Sequence, residues 1–180
     1  MTPAAAEPFM PAEGTAVLEN LAFDLAREAS ELSAQLHPVV RLSVADLVRS
    51  MNCYYSNLIE GHNTHPRDID RALAADYSSD PHRRDAQLEA RAHIEVQQMI
   101  DERVGDLPRP PASRAFIEWT HREFCRRLPE SLLVVENPET RERIPVVPGQ
   151  MRFRIVAVGR HVAPDAGDLP AFMGRFEEAY

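Results

Sequence analysis

From about Thr15 to Leu36 the apolar residues Leu18, Leu21, Leu25, Ala29, Leu32 and Leu36 recur at steps of three and four, the stripe of an amphipathic helix. His37-Pro38 ends it. A second helix is expected from about Val39 to Glu60, with Leu47, Met51, Tyr54, Leu58 and Ile59 for its buried face and Gly61 as the residue after its C-cap. After the polar turn His62-Asn63-Thr64, Pro66 opens a short helix over Arg67–Asp76 around Ile69 and Leu73. Arg84–Val104 reads as a long helix with Leu88, Ala92, Glu95 or Val96, and Met99 near one face, ended by Gly105 and a Pro-rich linker at Leu107–Pro111. Ala112–Leu128 is a fifth helix built on Phe116, Ile117, Thr120, Phe124 and Leu128.

The pattern changes at Ser131. Leu132–Val135 and Arg141–Val147, separated by Glu136-Asn137-Pro138-Glu139-Thr140, have the form of a short hairpin interrupted by proline. Met151, Phe153, Ile155 and Ala157 then alternate with Arg152, Arg154, Val156 and Val158, the period-two pattern of a strand. Asp168-Leu169-Pro170 opens a last helix with Phe172, Met173 and Phe176, and no capping signal precedes Tyr180. The expected fold is mainly α, a helical bundle carrying a small β-hairpin. Its parts are a disordered tail at 1–14, a helical region at 15–105 and a second region at 106–180.

Composition narrows the class. At 180 residues, 44% hydrophobic and 27% charged, the chain is one ordinary domain with no run able to span a bilayer. The Ala/Pro/Glu-rich start lacks the basic-then-apolar order of a signal peptide, and a cytoplasmic protein is expected. Cys53 and Cys125 form no CxxC pair and are expected as core fillers in a reduced compartment. A net charge of −8 argues against a broad grip on nucleic acid. All basic residues other than histidine are arginine.

Candidate chemistry is sparse. No phosphate loop or G-x-G-x-x-G is present. His62 with His65, and His121 with Cys125, have spacings that bring two donors together, but a closed zinc site needs four ligands, and no metal site is expected. The exception is Ser56-Asn57-Leu58-Ile59-Glu60-Gly61. Ser56 and Glu60 share a helix face, Leu58 and Ile59 are placed to anchor the turn in the core, and a carboxylate at a helix C-terminus opposes the dipole, so it calls for a cationic partner, ideally an arginine.

These residues fit the pattern [ST]-x-x-x-E-[GN], and the chain resembles Fic-family proteins, which transfer AMP from ATP to hydroxyl side chains of target proteins. Thr15-Ala16-Val17-Leu18-Glu19-Asn20 fits the same pattern but lies at a helix start. The resemblance extends in order through Pro66-Arg67-Asp68-Ile69, Glu89-Ala90-Arg91-Ala92-His93, Ile117–Arg122 and the Pro148-Gly149-Gln150-Met151-Arg152 to Val162-Ala163-Pro164 stretch, similar to the hairpin or flap that precedes the family's catalytic helix. The catalytic loop H-P-F-x-[DE]-G-N-[GK]-R is absent, so the resemblance implies a Fic-like bundle truncated before the catalytic helix. This chain alone is then expected to hold no catalytic residue and to bind no cofactor tightly.

What the resemblance implies for the complete protein is specific. Ser56, Glu60 and Gly61 form an inhibitory element, with Glu60 pairing an arginine of the catalytic region and restraining ATP and its magnesium. Phe153, Ile155, Val156, Ala157 and Val158 form a flap that docks a target protein by strand addition. Homo-oligomers are possible partners; nucleic acid and membrane are not expected. Two alternatives stay open at this level: a non-catalytic, antitoxin-like regulator of a separate Fic partner, and a plain helical scaffold.

Overall fold

A computed structural model of the chain describes residues 11–62, 64–103, 105–108, 110–137, 140–158 and 161–180. Most of the expected N-terminal tail, Asn63 of the first turn, the Val104 helix end, Arg109 of the linker, Pro138-Glu139 of the hairpin turn and Gly159 after the flap lie outside the described residues.

The fold is mainly helical, with two small antiparallel ladders. Its helices are α1 (Ala16–Gln35), α2 (Pro38–Ile59), α3 (Pro66–Leu73), α4 (Pro81–Glu102), α5 (Arg114–Cys125) and α6 (Leu169–Ala179). Strands β1 (Val134–Glu136) and β2 (Arg143–Pro145) pair with Val135 opposite Ile144, and β3 (Ala157–Val158) pairs with β4 (His161–Val162). Each expected helix is present to within a turn at either end.

The helix starts are chemically fixed. Pro38, Pro66 and Pro81 occupy first-turn positions, where a missing N–H costs no hydrogen bond. The Asp80 carboxylate accepts from the His82 and Arg83 amides at 2.9 and 3.4 Å, and the Ser113 hydroxyl accepts from Phe116 N at 3.2 Å.

The core lies between α2, α3 and α4 and continues to α5. Cys53, Ile69, Ala90 and Ile94 form its centre, with Tyr54 packed against it. Gln87 is fully buried and fully satisfied: its amide nitrogen donates to the Asp68 and Asp76 carbonyls at 3.2 Å each, and its oxygen accepts from Ser78 N at 2.7 Å. This one side chain closes the α3–α4 connection. Arg49 fastens α2 to the end of α4 through Asp101 at 2.5 Å, while Asp46 holds its other nitrogen at 2.6 Å.

The buried face of α2 differs from the expected one. Arg49 and Cys53 are buried, Met51 and Tyr54 half-buried, and Leu47, Leu58 and Ile59 exposed, Ile59 by 83%. Leu58 and Ile59 therefore do not anchor the last turn in the core. The reason is where α3 and α4 sit: they approach the 49-53-57 row, roughly a third of the way round the helix from the 47-51-54-58 face. In α4, Gln87, Ala90, Ala92, Ile94 and Val96 are buried, and Leu88 and Met99 only half-buried, because α4 is enclosed by α2, α3 and α5 and not packed on one side.

Candidate functional site

The end of α2 is shaped by its last carbonyls. Gly61 N donates to Leu58 O at 3.1 Å and His62 N donates to Asn57 O at 2.7 Å, with Gly61 at φ +81°. This is the paired closure that a left-handed residue after the C-cap allows, and glycine enters that region without a Cβ penalty. The cap fixes Glu60 at the mouth of a hollow of about 300 Å³ lined by Asn57, Glu60, His62, Glu89, His93 and Phe124.

Glu60 is exposed and forms no ion pair among the described residues. Ser56 is also exposed, and its hydroxyl bonds no described residue. The helix end is steadied instead by Asn57, whose amide lies 3.4 Å from Thr64 Oγ1 and 3.8 Å from Cys53 Sγ. Across the hollow, His62 Nδ1 is 3.6 Å from a Glu89 oxygen. Burial holds His93 below the ordinary imidazole range, which keeps it neutral.

A groove of about 510 Å³ runs from this hollow between α4 and α5, sharing His93 and Phe124 with it and reaching His121. Its walls are largely apolar, with Val96, Ile100, Phe116 and Ile117 among them. Two of its lining residues carry a buried polar atom, Gln97 Nε2 and Thr120 Oγ1, with no hydrogen-bond partner among the described residues. An unsatisfied buried donor costs about 1–3 kcal/mol.

At its far end the groove meets the Pro148-Gly149 turn. Gly149 N donates to His121 Nδ1 at 2.9 Å, and His121 Nε2 lies 3.3 Å from Cys125 Sγ. Because Nδ1 accepts, the neutral ring carries its proton on Nε2 and donates toward the sulfur. This commits His121 and Cys125 to holding the turn, and among the described residues no group of three His, Cys, Asp or Glu side chains is placed to hold a metal ion.

Beyond the turn the expected strand is much shorter. Only Ala157–Val158 is in a ladder; residues 151–156 belong to no strand, with a bend at Arg154, although Val156 O accepts from Ala163 N at 2.9 Å. Arg152 donates to Arg154 O at 2.6 Å and to Pro164 O, so its side chain takes up backbone acceptors on both sides of the segment. Phe153, Ile155 and Val156 are 62%, 64% and 42% exposed, and Ala157 is exposed as well. Of Val158 only the backbone pairing is described. The segment faces β1 and β2 across a hollow of about 340 Å³ lined by Val135, Ile144, Val147, Phe153 and Ile155, and Arg154 clamps it to Glu142 through two 2.7 Å bonds.

The two groups of expected residues thus line separate hollows on either side of the α4–α5 groove, which shares His93 and Phe124 with the one at Glu60 and His121 with the one at the flap. Those shared residues were not legible as a set, since nothing in the spacing of His93 and His121 says that two helices bring them to one groove. No family model, no curated protein and no solved structure matches this chain.

Proposed function

We propose that the chain is the regulatory and target-docking part of a Fic-type AMP transferase, in which Glu60 restrains ATP and the segment Phe153–Val158 receives an extended stretch of the target protein. One observation carries the reading: Glu60 is a carboxylate fixed by a glycine cap at the negative pole of a helix, exposed, and without a cation among the described residues. An arginine of a catalytic region answers that need. The largely apolar α4–α5 groove, lined by Gln97 and Thr120, whose Nε2 and Oγ1 atoms lack partners among the described residues, is where such a region would pack.

The target end follows from the flap. Backbone outside any strand at Phe153 and Ile155 leaves main-chain groups for an extended peptide, next to the Arg154 and Val156 carbonyls that are already engaged, and the exposed Phe153 and Ile155 side chains add shallow apolar contacts. ATP and magnesium then belong mainly to the catalytic region, and this chain contributes Glu60 alone, so by itself it transfers nothing.

The test uses a protein in which this region is joined to H-P-F-x-[DE]-G-N-[GK]-R. Glu60→Gly is expected to raise incorporation of labelled AMP into protein at least tenfold; unchanged incorporation removes the inhibitory role. The exposed Leu58, Ile59 and Glu60 also suit a regulator acting on a separate Fic enzyme. In that case adding this chain in trans lowers the partner's AMP transfer, and Glu60→Gly abolishes the effect.

A further inference from the structure

Helix α1 is 20 residues long and buries none of them, and among the described residues it makes no more than glancing contact with any other element. A helix of this length with no covered face is marginal in water, because helices in proteins draw most of their stability from packing an amphipathic face. Such a face exists: Leu18, Leu21, Ala22, Leu25, Ala29 and Leu32 fall within about 100° of the circumference.

Helix α2 has a second apolar side. Its 49-53-57 row packs toward α3 and α4, yet Val40, Val44, Leu47, Val48, Tyr55 and Leu58, on the far side of the helix, are all exposed. Two bare stripes thus sit on consecutive helices of nearly equal length, 20 and 22 residues, joined by Leu36 and His37 alone. A joint of two residues is long enough to reverse the chain between antiparallel helices.

We propose that α1 is a strap that folds back on α2 as a helical hairpin, laying its leucine stripe on the exposed side of α2. The joint decides the occupant: a tether this short holds α1 beside α2 at a millimolar effective concentration, ahead of a free partner. Residues equally far from the joint then lie side by side. That sets Leu25 beside Val48 and Leu18 beside Tyr55, with the small Ala22 and Ala29 facing Met51 and Val44. Small side chains facing large ones let two helices interdigitate. The charges agree: Glu19, Asp24, Glu28 and Glu31 against Arg27 leave α1 net negative, whereas Arg41 and Arg49 against Asp46 leave α2 net positive. None of these charges falls within either stripe. In the hairpin α1 stops level with Asn57 and Leu58, so Glu60 stays uncovered, and the strap is independent of the role given to that residue.

Paired cysteines in the full chain at low micromolar concentration test the closure. Leu25→Cys with Val48→Cys is expected to form a disulfide within one chain about tenfold faster than Phe23→Cys with Val48→Cys, because Phe23 lies on the opposite face of α1. Cys53 and Cys125 are buried and stay silent. Amide exchange reads the same closure without new thiols: the α1 amides are expected to be slowed in the parent chain and to return to unprotected rates in Leu47→Glu. The amides of Cys53 and Ile94, in the core, stay protected in that variant and show that it is folded. Equal rates for the two cysteine pairs, a disulfide between chains in place of one within a chain, or unprotected α1 amides in the parent overturn the proposal. Protection of α1 that survives Leu47→Glu overturns it too, since α1 is then covered by something other than α2.

Discussion

The backbone N–H of Gly149 donates to Nδ1 of His121 at 2.9 Å, so the turn that begins the flap is fixed to α5 by one imidazole. Gly149 has φ +79°, and a Cβ there would lie 2.9 Å from Arg122 Cβ and 3.1 Å from Glu118 O. Conformation and space both demand glycine. Gly149→Ala is expected to lower stability by about 2–3 kcal/mol, from the left-handed backbone and the overpacking together, read as a shift in urea midpoint. His121→Ala keeps the backbone conformation and removes only the acceptor; it should speed amide exchange at Gly149 with a smaller loss of about 1 kcal/mol.

Gln87 supplies three hydrogen bonds from a fully buried position, to the Asp68 and Asp76 carbonyls and from Ser78 N. Gln87→Leu keeps the approximate volume and strands all three backbone groups. A loss of about 3–5 kcal/mol is expected in chemical denaturation, larger than for a typical core substitution. A loss below ~1 kcal/mol would show that water replaces the side chain.

Ala75 ends α3 at φ +58°, the left-handed position that Gly61 occupies after α2. Its amide and that of Asp76 close the helix onto Ala72 O at 3.0 Å and Arg71 O at 2.8 Å. The residue is exposed, so backbone strain is the main term. Ala75→Gly should raise stability by about 0.5–1 kcal/mol and Gly61→Ala should lower it by about 1 kcal/mol, opposite signs at equivalent positions. Thermal midpoints measured side by side check both.

Burial holds His93 below the ordinary imidazole range. The unfolded chain then binds the proton more readily than the folded one, so this residue's contribution is fully present above the unfolded value of about 6.5 and is lost as pH falls from there toward the folded value. The expected result is a fall in stability on acidification through this window that is reduced in His93→Gln. A proton NMR titration should place the His93 ring below a free histidine; a midpoint at or above the free value would contradict the burial argument.

The helices were legible because their signals are local. Apolar periodicity, Pro66 as a start and Gly61 as a terminator act within a turn or two and place the helices, whereas the Asp80 and Ser113 caps went unread, so α4 and α5 begin at Pro81 and Arg114 where Arg84 and Ala112 were expected. The flap was legible only in outline: alternation at 151–158 signals extended backbone, but whether that backbone joins a ladder depends on Arg152 reaching Pro164, twelve residues away.

The sequence by itself determined the mainly helical class, the order of elements and the capped position of Glu60, because these follow from backbone conformation and short-range hydrogen bonding. Only the tertiary structure decided which faces are covered. It turned α2 so that Arg49 and Cys53 face the core and Leu58 and Ile59 face outward, left α1 bare, and brought His93, Phe124 and His121 to one groove between Glu60 and the flap. Apolar periodicity marks a face as suited for burial, whereas burial itself requires a neighbouring element, and that depends on contacts between residues far apart in the chain.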